Sequence, residues 1–430
     1  MKVIMKQLVV RIITAEAKLL LARTKPTIVA VTGNVGKTST KDAVFAALKD
    51  HKRARKSEKS FNSEIGVPLS ILGLENGWNN PFKWLKNIFD GFLLTLWPGN
   101  YPELLVLEVG VDRPGDMKQL TSWLRPDVVV LTRLPNVPVH VEYFASPEDV
   151  IAEKLELVAA LKPEGVLVYN NDDEKVREVV ETVRQKAIGF ARYAPTHFTA
   201  QGDTIVYDGK VPTGISFNIE HLEESVSVHL PNVVGTHHLY SVGAAFAVAS
   251  IFDINLAEVA KSMAGYVPPA GRMRIVAGLK DTVIIDDTYN SSPTAAERAL
   301  STLLELKTGG SRIAVLGDML ELGQFSVREH EKLGEQAAET ADVLFTVGVR
   351  ARKIAEGALE AGMNEKRIFQ YDDAVSAGRE LQNYIKKGDV ILVKGSQGIR
   401  CERIVADIMA HPEQAEALLV RQSSVWLNKA

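Results

Sequence analysis

The sequence predicts an α/β fold of two consecutive domains, each built on a mostly parallel sheet with helices on its faces. Three observations predict it. Short apolar runs of strand length recur along the chain, stretches of helical period separate them, and a Pro268-Pro269-Ala270-Gly271 break divides the series in two. At 430 residues the chain is also too long for one ordinary core, and its 46% hydrophobic and 24% charged content is that of a folded globular protein.

Residues 1–25 alternate apolar and basic side chains at helical spacing, which predicts an amphipathic helix, packed on the neighbouring domain or touching a membrane surface. The first domain is expected over 26–270. It opens with an apolar run at 27–32, a glycine turn and a helical stretch at 38–48. Strands at 104–107, 128–132 and 165–169 and a helix at 147–161 follow. Alternation at 204–207 and 225–230, with an Asp208-Gly209 turn, predicts a few antiparallel strands in the same domain. A small-residue helix at 241–251 leads to the break. Beyond it a second domain, 271–430, is expected, with strands at 283–286, 313–316, 343–347 and 390–393 alternating with helices. Within the first domain, residues 76–101 form an insertion where Trp78, Phe82, Trp84, Phe89, Phe92 and Trp97 crowd together. It either covers that domain or binds a partner or lipid surface.

The formal charge of −3 supplies no general pull toward nucleic acid or acidic membranes, so any substrate site is local. A single cysteine, Cys401, cannot form a disulfide within the chain and reads as a packing residue in a reducing cytoplasm. No apolar run approaches the ~18–20 residues that span a bilayer, and no cleavage site follows an apolar opening. A cytoplasmic protein is expected.

The strongest local signal is Thr32-Gly33-Asn34-Val35-Gly36-Lys37-Thr38-Ser39, standing between a predicted strand and a predicted helix. Glycines let backbone N–H groups approach phosphate oxygens, the helix N-terminus adds a favourable dipole, Lys37 reaches the outer phosphates and Thr38 can bind Mg²⁺. A glycine-rich turn without a ligand is the alternative. Glu108, at the end of an apolar strand, stands in the right place to supply a second oxygen ligand to that ion.

Val31 occupies the place of the first glycine of the common phosphate loop, and the shorter Thr-Gly-x-x-Gly-Lys form resembles that of the Mur ligases. Further motifs resemble the D-alanyl-D-alanine-adding members of that family, in the family's order: Asn62-Ser63-Glu64-Ile65-Gly66-Val67-Pro68, Leu107-Glu108-Val109-Gly110, Asp112-Arg113-Pro114-Gly115-Asp116, Asp286-Asp287-Thr288-Tyr289-Asn290, the 315–323 stretch through Gly317-Asp318-Met319, and Val393-Lys394-Gly395-Ser396. The resemblance implies a central P-loop ATPase domain followed by a Rossmann-like C-terminal domain. It also implies an ATP-dependent ligase that activates a muropeptide carboxylate as an acyl phosphate for attack by a dipeptide amine such as D-Ala-D-Ala.

The resemblance further implies two Mg²⁺ ions, one at Thr38 and Glu108 and one at His140. Lys154 would be carbamylated by CO₂ into an anionic ligand, and Lys37, His140 and Lys154 would serve catalysis. Arg272 would reach the phosphates and Asp287 the ribose, while Asn62, Ser63, Asn290, Lys394 and Ser396 would face the substrates. The everyday alternatives are a structural histidine at 140, a solvated lysine at 154 and a structural charge pair for 272 and 287. His238 and Ser241 stand where the family usually carries asparagines near adenine, so His238 is the nucleotide-side candidate there. The family's N-terminal domain, which grips the uridine diphosphate sugar, has no counterpart before residue 33. A partner chain or the aromatic insertion is expected to supply that grip. Two other readings stay open: ligation of a different acidic substrate (a pseudomurein-type peptide, a polyglutamate or a lipid-linked precursor), and a nucleotide-binding switch, against which Glu108, His140 and Lys154 count.

Overall fold

A computed structural model describes residues 3–58, 61–78 and 80–427; the first two residues of the expected N-terminal helix lie outside them. The first sheet contains β1 (Thr27–Thr32), β2 (Ala54–Lys56), β3 (Leu104–Glu108), β4 (Val128–Leu131), β5 (Val166–Asn170), β6 (Lys186–Ala191), β7 (Phe198–Asp208), β8 (Val211–His221) and β9 (Glu224–Pro231). Their spatial order is β2-β3-β1-β4-β5-β6-β7-β8-β9, parallel from β2 to β7 and antiparallel from β7 to β9. β1 therefore lies inside the parallel part, with β3 and β4 as neighbours.

Alternate residues of β1 feed two cores. Ile28 and Ala30 face a layer that holds α1 (Val3–Thr24), α3 (Gly66–Leu72), α4 (Pro81–Leu96), α6 (Pro147–Ala159) and α7 (Glu174–Thr182); α5 (Asp116–Thr121) joins them through Met117 and Leu120. Val29 and Val31 face α2 (Lys37–Leu48), α8 (His237–Ser250) and α9 (Leu256–Met263). Both faces of the parallel strands are covered, which is why these runs are apolar throughout rather than alternating. In α1, Val9, Ile13, Ala17 and Leu20 are buried against α3 and α4. α4 begins at Pro81, where the Asn80 side chain accepts the N–H groups of Phe82 and Lys83, an N-cap that the aromatic crowding had concealed.

The second sheet contains β10 (Arg274–Gly278), β11 (Thr282–Asp287), β12 (Arg312–Gly317), β13 (Val343–Val347), β14 (Ile368–Tyr371) and β15 (Val390–Lys394), in the order β10-β11-β15-β12-β13-β14. All neighbours are parallel except the β10–β11 pair. α10 (Pro293–Glu305) follows β11 and packs on the sheet. The architecture is the predicted one, two α/β sheets in succession, and Cys401 is a buried free thiol as expected.

Candidate active site

The carboxyl ends of β1 and β3 and the opening of α2 form one wall of a cleft of about 740 Å³, and residues after β11, β12 and β15 form the other. Ligands of open parallel sheets bind at such strand ends. Gly36 sits at the N-cap of α2 with φ of 87°. Gly33 has φ of 131°, and a Cβ there would lie 2.1 Å from Thr132 Oγ1, so neither backbone nor space admits a side chain. Lys37 Nζ reaches back across the turn and donates to the carbonyls of Gly33 (3.0 Å) and Asn34 (3.3 Å). Burial lowers its pKa, and Glu108 opposes that shift. Thr38 and Ser39 are buried beneath the loop, where Tyr266 Oη donates to the Ser39 carbonyl at 3.1 Å.

Glu108 pairs in register with Val31, so its carboxylate emerges beside the phosphate loop. Oε1 accepts from Asn62 Nδ2 at 3.1 Å, while the buried Oε2 has no hydrogen-bond partner among the described residues. A buried carboxylate oxygen left in this state is costly, and a divalent cation satisfies it. Among the described residues no three His, Cys, Asp or Glu side chains converge to hold a metal by themselves. Mg²⁺ suits such a site, because it is commonly bound by one or two carboxylates together with substrate phosphates.

His140 adopts a left-handed backbone, φ 73°, and its ring lies between two carboxylates: Nδ1 is 2.7 Å from Glu321 Oε2 and Nε2 is 3.6 Å from Asp112 Oδ1. The contact with Glu321 crosses the cleft, and His140 holds the Glu321 carboxyl below its usual range. Lys154, on α6, is buried, and its pKa falls to about 7 through burial first and Lys37 second, against the pull of Asp112 and Glu153. Glu153 accepts the N–H groups of Gly115 (3.0 Å) and Met117 (2.7 Å), which anchors the Asp112–Asp116 loop to the same helix.

From the other wall, the Arg272 guanidinium stacks over Tyr289 at 4.1 Å, and its buried Nε lacks a partner among the described residues. Asn290 and Ser396 also line the cleft. Ser396 Oγ accepts the Leu320 N–H at 2.9 Å, tying two loops together. Asp287 and Lys394 do not line it. They are register partners on β11 and β15, joined by a 2.6 Å buried ion pair, and Lys394 also donates to the Asn290 carbonyl at 3.0 Å. Their charges are spent on each other, on the Asn290 carbonyl and on the Met273 N–H, which Asp287 Oδ1 accepts at 3.3 Å. His238 is fully buried outside the cleft lining, with burial pushing its pKa down, and the neighbouring Ser241 faces Thr40 at 3.3 Å. Ser63 lines an adjoining pocket of about 580 Å³ together with Lys6, Trp78, Asp112 and Arg113.

Several lining residues were not singled out from sequence. Asp112, Arg113 and Glu321 lie in motifs that carried the signal, but Tyr143, Ser291 and Trp426 have no sequence mark. Arg113 lies over the Tyr143 ring at 3.5 Å. Ser291 and Ser292 precede the N-terminus of α10, whose dipole favours an anion in the cleft.

Comparison with known proteins adds a further set of findings. The family description "Mur ligase middle domain" matches residues 31–249, and "Mur ligase, glutamate ligase domain" matches 271–397. The UDP-N-acetylmuramoyl-tripeptide--D-alanyl-D-alanine ligase of Bacillus subtilis strain 168 is 29% identical over 386 residues, covering 90% of this chain and 76% of that protein. A protein of the same name from Escherichia coli K12 is 26% identical over 382 residues, covering 88% and 76%. Among solved structures, MurF ligase from Thermotoga maritima in complex with ADP superposes with a TM-score of 0.76 at 26% identity, covering 95% of this chain and 84% of that one.

Proposed function

The chain belongs to the Mur ligase family, and from that premise we propose that it joins D-Ala-D-Ala to the peptide carboxylate of a UDP-N-acetylmuramoyl-tripeptide, using ATP, in peptidoglycan precursor synthesis. The proposal rests on Lys37, at the start of α2, and the Glu108 oxygen without a partner among the described residues, at the end of β3, lining one cleft with Arg272 on its opposite wall. Relatives named for this reaction support the choice of substrates.

A carboxylate is a poor electrophile, so one of its oxygens must first attack the γ-phosphorus of ATP, releasing ADP and leaving an acyl phosphate. The amine then attacks the acyl carbon, the amide bond forms, phosphate leaves and the amine gives up a proton. These steps demand neutralised anions and aligned reactants. Gly33, Val35 and Gly36 offer backbone N–H groups to the phosphates, while that of Asn34 is taken by the Arg133 carbonyl at 2.8 Å; Lys37 turns from its own loop carbonyls to the outer phosphate oxygens, and Arg272 meets the same charge from the second wall. Mg²⁺ held by Thr38 and Glu108, and a second ion at His140, would offset the charge of the phosphate oxygens. For His140 to serve, it must leave Glu321. Asn62 fixes the Glu108 carboxylate through Oε1.

Lys154 with a pKa of about 7 is partly neutral at neutral pH, and its amine can add to CO₂, losing a proton and becoming a carbamate anion that no longer repels a cation. Residues 26–270 then bind ATP and 271–430 close over it. Asp287 and Lys394 act in this reading as positioning residues that fix Tyr289 and Asn290. The sugar-nucleotide end of the substrate is held outside the cleft, by the 76–101 segment at a membrane surface or by a partner chain, and the reaction runs in the cytoplasm where ATP is supplied.

Lys37→Ala and Glu108→Gln test the reading. Each is expected to abolish ADP formation while thermal unfolding stays cooperative; full product formation by either variant would overturn it.

A further inference from the structure

α4 is amphipathic the wrong way round for a helix that meets only water. Its buried stripe carries Trp84, Asn87, Gly91 and Thr95. Its exposed stripe carries Phe82 (81% exposed), Leu85, Phe89 (60%), Phe92 and Leu96, and ends on Trp97 (71%). The inward polar groups are satisfied locally: Asn87 Nδ2 donates to the Glu75 carbonyl at 2.7 Å and Thr95 Oγ1 to the Gly91 carbonyl at 2.8 Å. Gly91 lets the helix lie against Glu16 of α1. The orientation is thus fixed from beneath, and the apolar stripe is what the fold presents outward.

Beside it, the exposed side of α1 carries Leu8, Arg11, Lys18 and Leu19. Arg11 and Lys18, with Arg23 and Lys25 at the end of that helix, have no carboxylate partner among the described residues, whereas Lys83 and Lys86 of α4 are paired with Glu75 and Asp90. A chain of net charge −3 therefore gathers positive charge without carboxylate partners next to this exposed apolar stripe, with Arg23 bound to the carbonyls of Thr95 and Leu96 at its end. Aromatic and leucine side chains flanked by uncompensated lysine and arginine match the boundary between headgroups and acyl chains of an anionic bilayer. No described helix is long and apolar enough to cross a membrane, and 16 residues rise only ~24 Å, so α4 lies along the surface.

We propose that α4, with the basic side of α1, seats the protein on an anionic phospholipid surface. The seat is independent of the ligation chemistry. It brings the pocket lined by Lys6, Trp78 and Arg113, which adjoins the catalytic cleft, to the face of the bilayer.

The test uses the full chain, flotation with phosphatidylcholine vesicles with or without phosphatidylglycerol, and sedimentation velocity over a range of protein concentrations. Wild type is expected to float with the phosphatidylglycerol vesicles and to be released by high salt. The paired substitution Phe89→Asp/Phe92→Asp should reduce vesicle binding at least tenfold with ATP binding unchanged, and Arg11→Glu/Lys18→Glu should remove the preference for the anionic lipid with ADP formation from soluble substrates unchanged. Wild type that stays unbound overturns the proposal, as does equal flotation of the aspartate variant. A concentration-dependent dimer that the aspartates dissolve, without vesicle binding by wild type, would assign the face to a second copy instead and equally overturn it. The charge-reversal variant keeps the test alive should aspartates on α4 impair folding.

Discussion

Lys154 is the residue on which the chemistry is most exposed to measurement. Burial favours its neutral form in the folded protein, so folding stability rises with pH from about 7 toward the ordinary lysine range. Lys154→Met is therefore expected to raise the melting temperature more at pH 6 than at pH 9. The same shift makes activity in limiting bicarbonate climb as pH passes about 7. Lys154→Ala should lose about 10²-fold or more in ADP formation, as expected for removing a group that stabilises transition-state charge, and short-chain carboxylates should restore part of it. Absence of any rescue would argue against a carbamate. At Gly33 the expectation is structural: alanine there meets Thr132 Oγ1 and a φ of 131°, a cost of roughly 1–3 kcal/mol. Adding Thr132→Ala should recover only part of the lost melting temperature, because the backbone strain remains.

Motifs made the loop residues, Glu108 and Asn62 legible. Sequence did not reveal that Asp287 and Lys394 would neutralise each other, because their pairing depends on the parallel register of β11 with β15, more than a hundred residues apart. Trp426 was hidden for the same reason, reaching the cleft only through the folding-back of the C-terminal segment, where Arg421 donates to the carbonyls of Thr288 and Tyr289.

At the scale of elements, long apolar strands were readable and short ones were not. β2 is Ala-Arg-Lys at the sheet edge, and β10 follows the proline break with only Ile275 and Val276 as branched apolar residues; neither offers a periodic signal. The α1–α4 contact supplies a prediction of its own. Glu16 faces α4 with Oε2 unpartnered among the described residues, and burial raises its pKa to about 7. The folded state thus binds a proton that the unfolded chain has lost, so this carboxylate costs stability increasingly as pH rises from its ordinary value to about 7, and fully above it. Glu16→Gln should raise the melting temperature clearly at pH 8 and hardly at pH 5; equal effects at both would contradict the burial argument.

For the whole molecule, the two sheets were predictable as separate units and the resemblance set Arg272 against the phosphate loop, but the contacts that join the two walls, such as His140 with Glu321, link distant loops and left no mark in the sequence. Both residues hold left-handed backbones, at φ 73° and 64°, which fixes them face to face. Glu321→Gln weakens that contact by removing the negative charge, and small-angle scattering should then detect a more open average shape without nucleotide, unchanged once ATP and Mg²⁺ are added. A radius of gyration indifferent to the substitution in both states would exclude the contact as a latch.

The reaction that defines this protein's proposed role is amide ligation driven by ATP. Its most direct measurement is ADP release with Mg²⁺ and bicarbonate, adding UDP-N-acetylmuramoyl-tripeptide and D-Ala-D-Ala separately and together, with mass spectrometry of the products. Sustained ADP release and a pentapeptide product are expected only with both substrates present. Tight ATP binding with neither ADP release nor a new amide under those conditions would contradict that role.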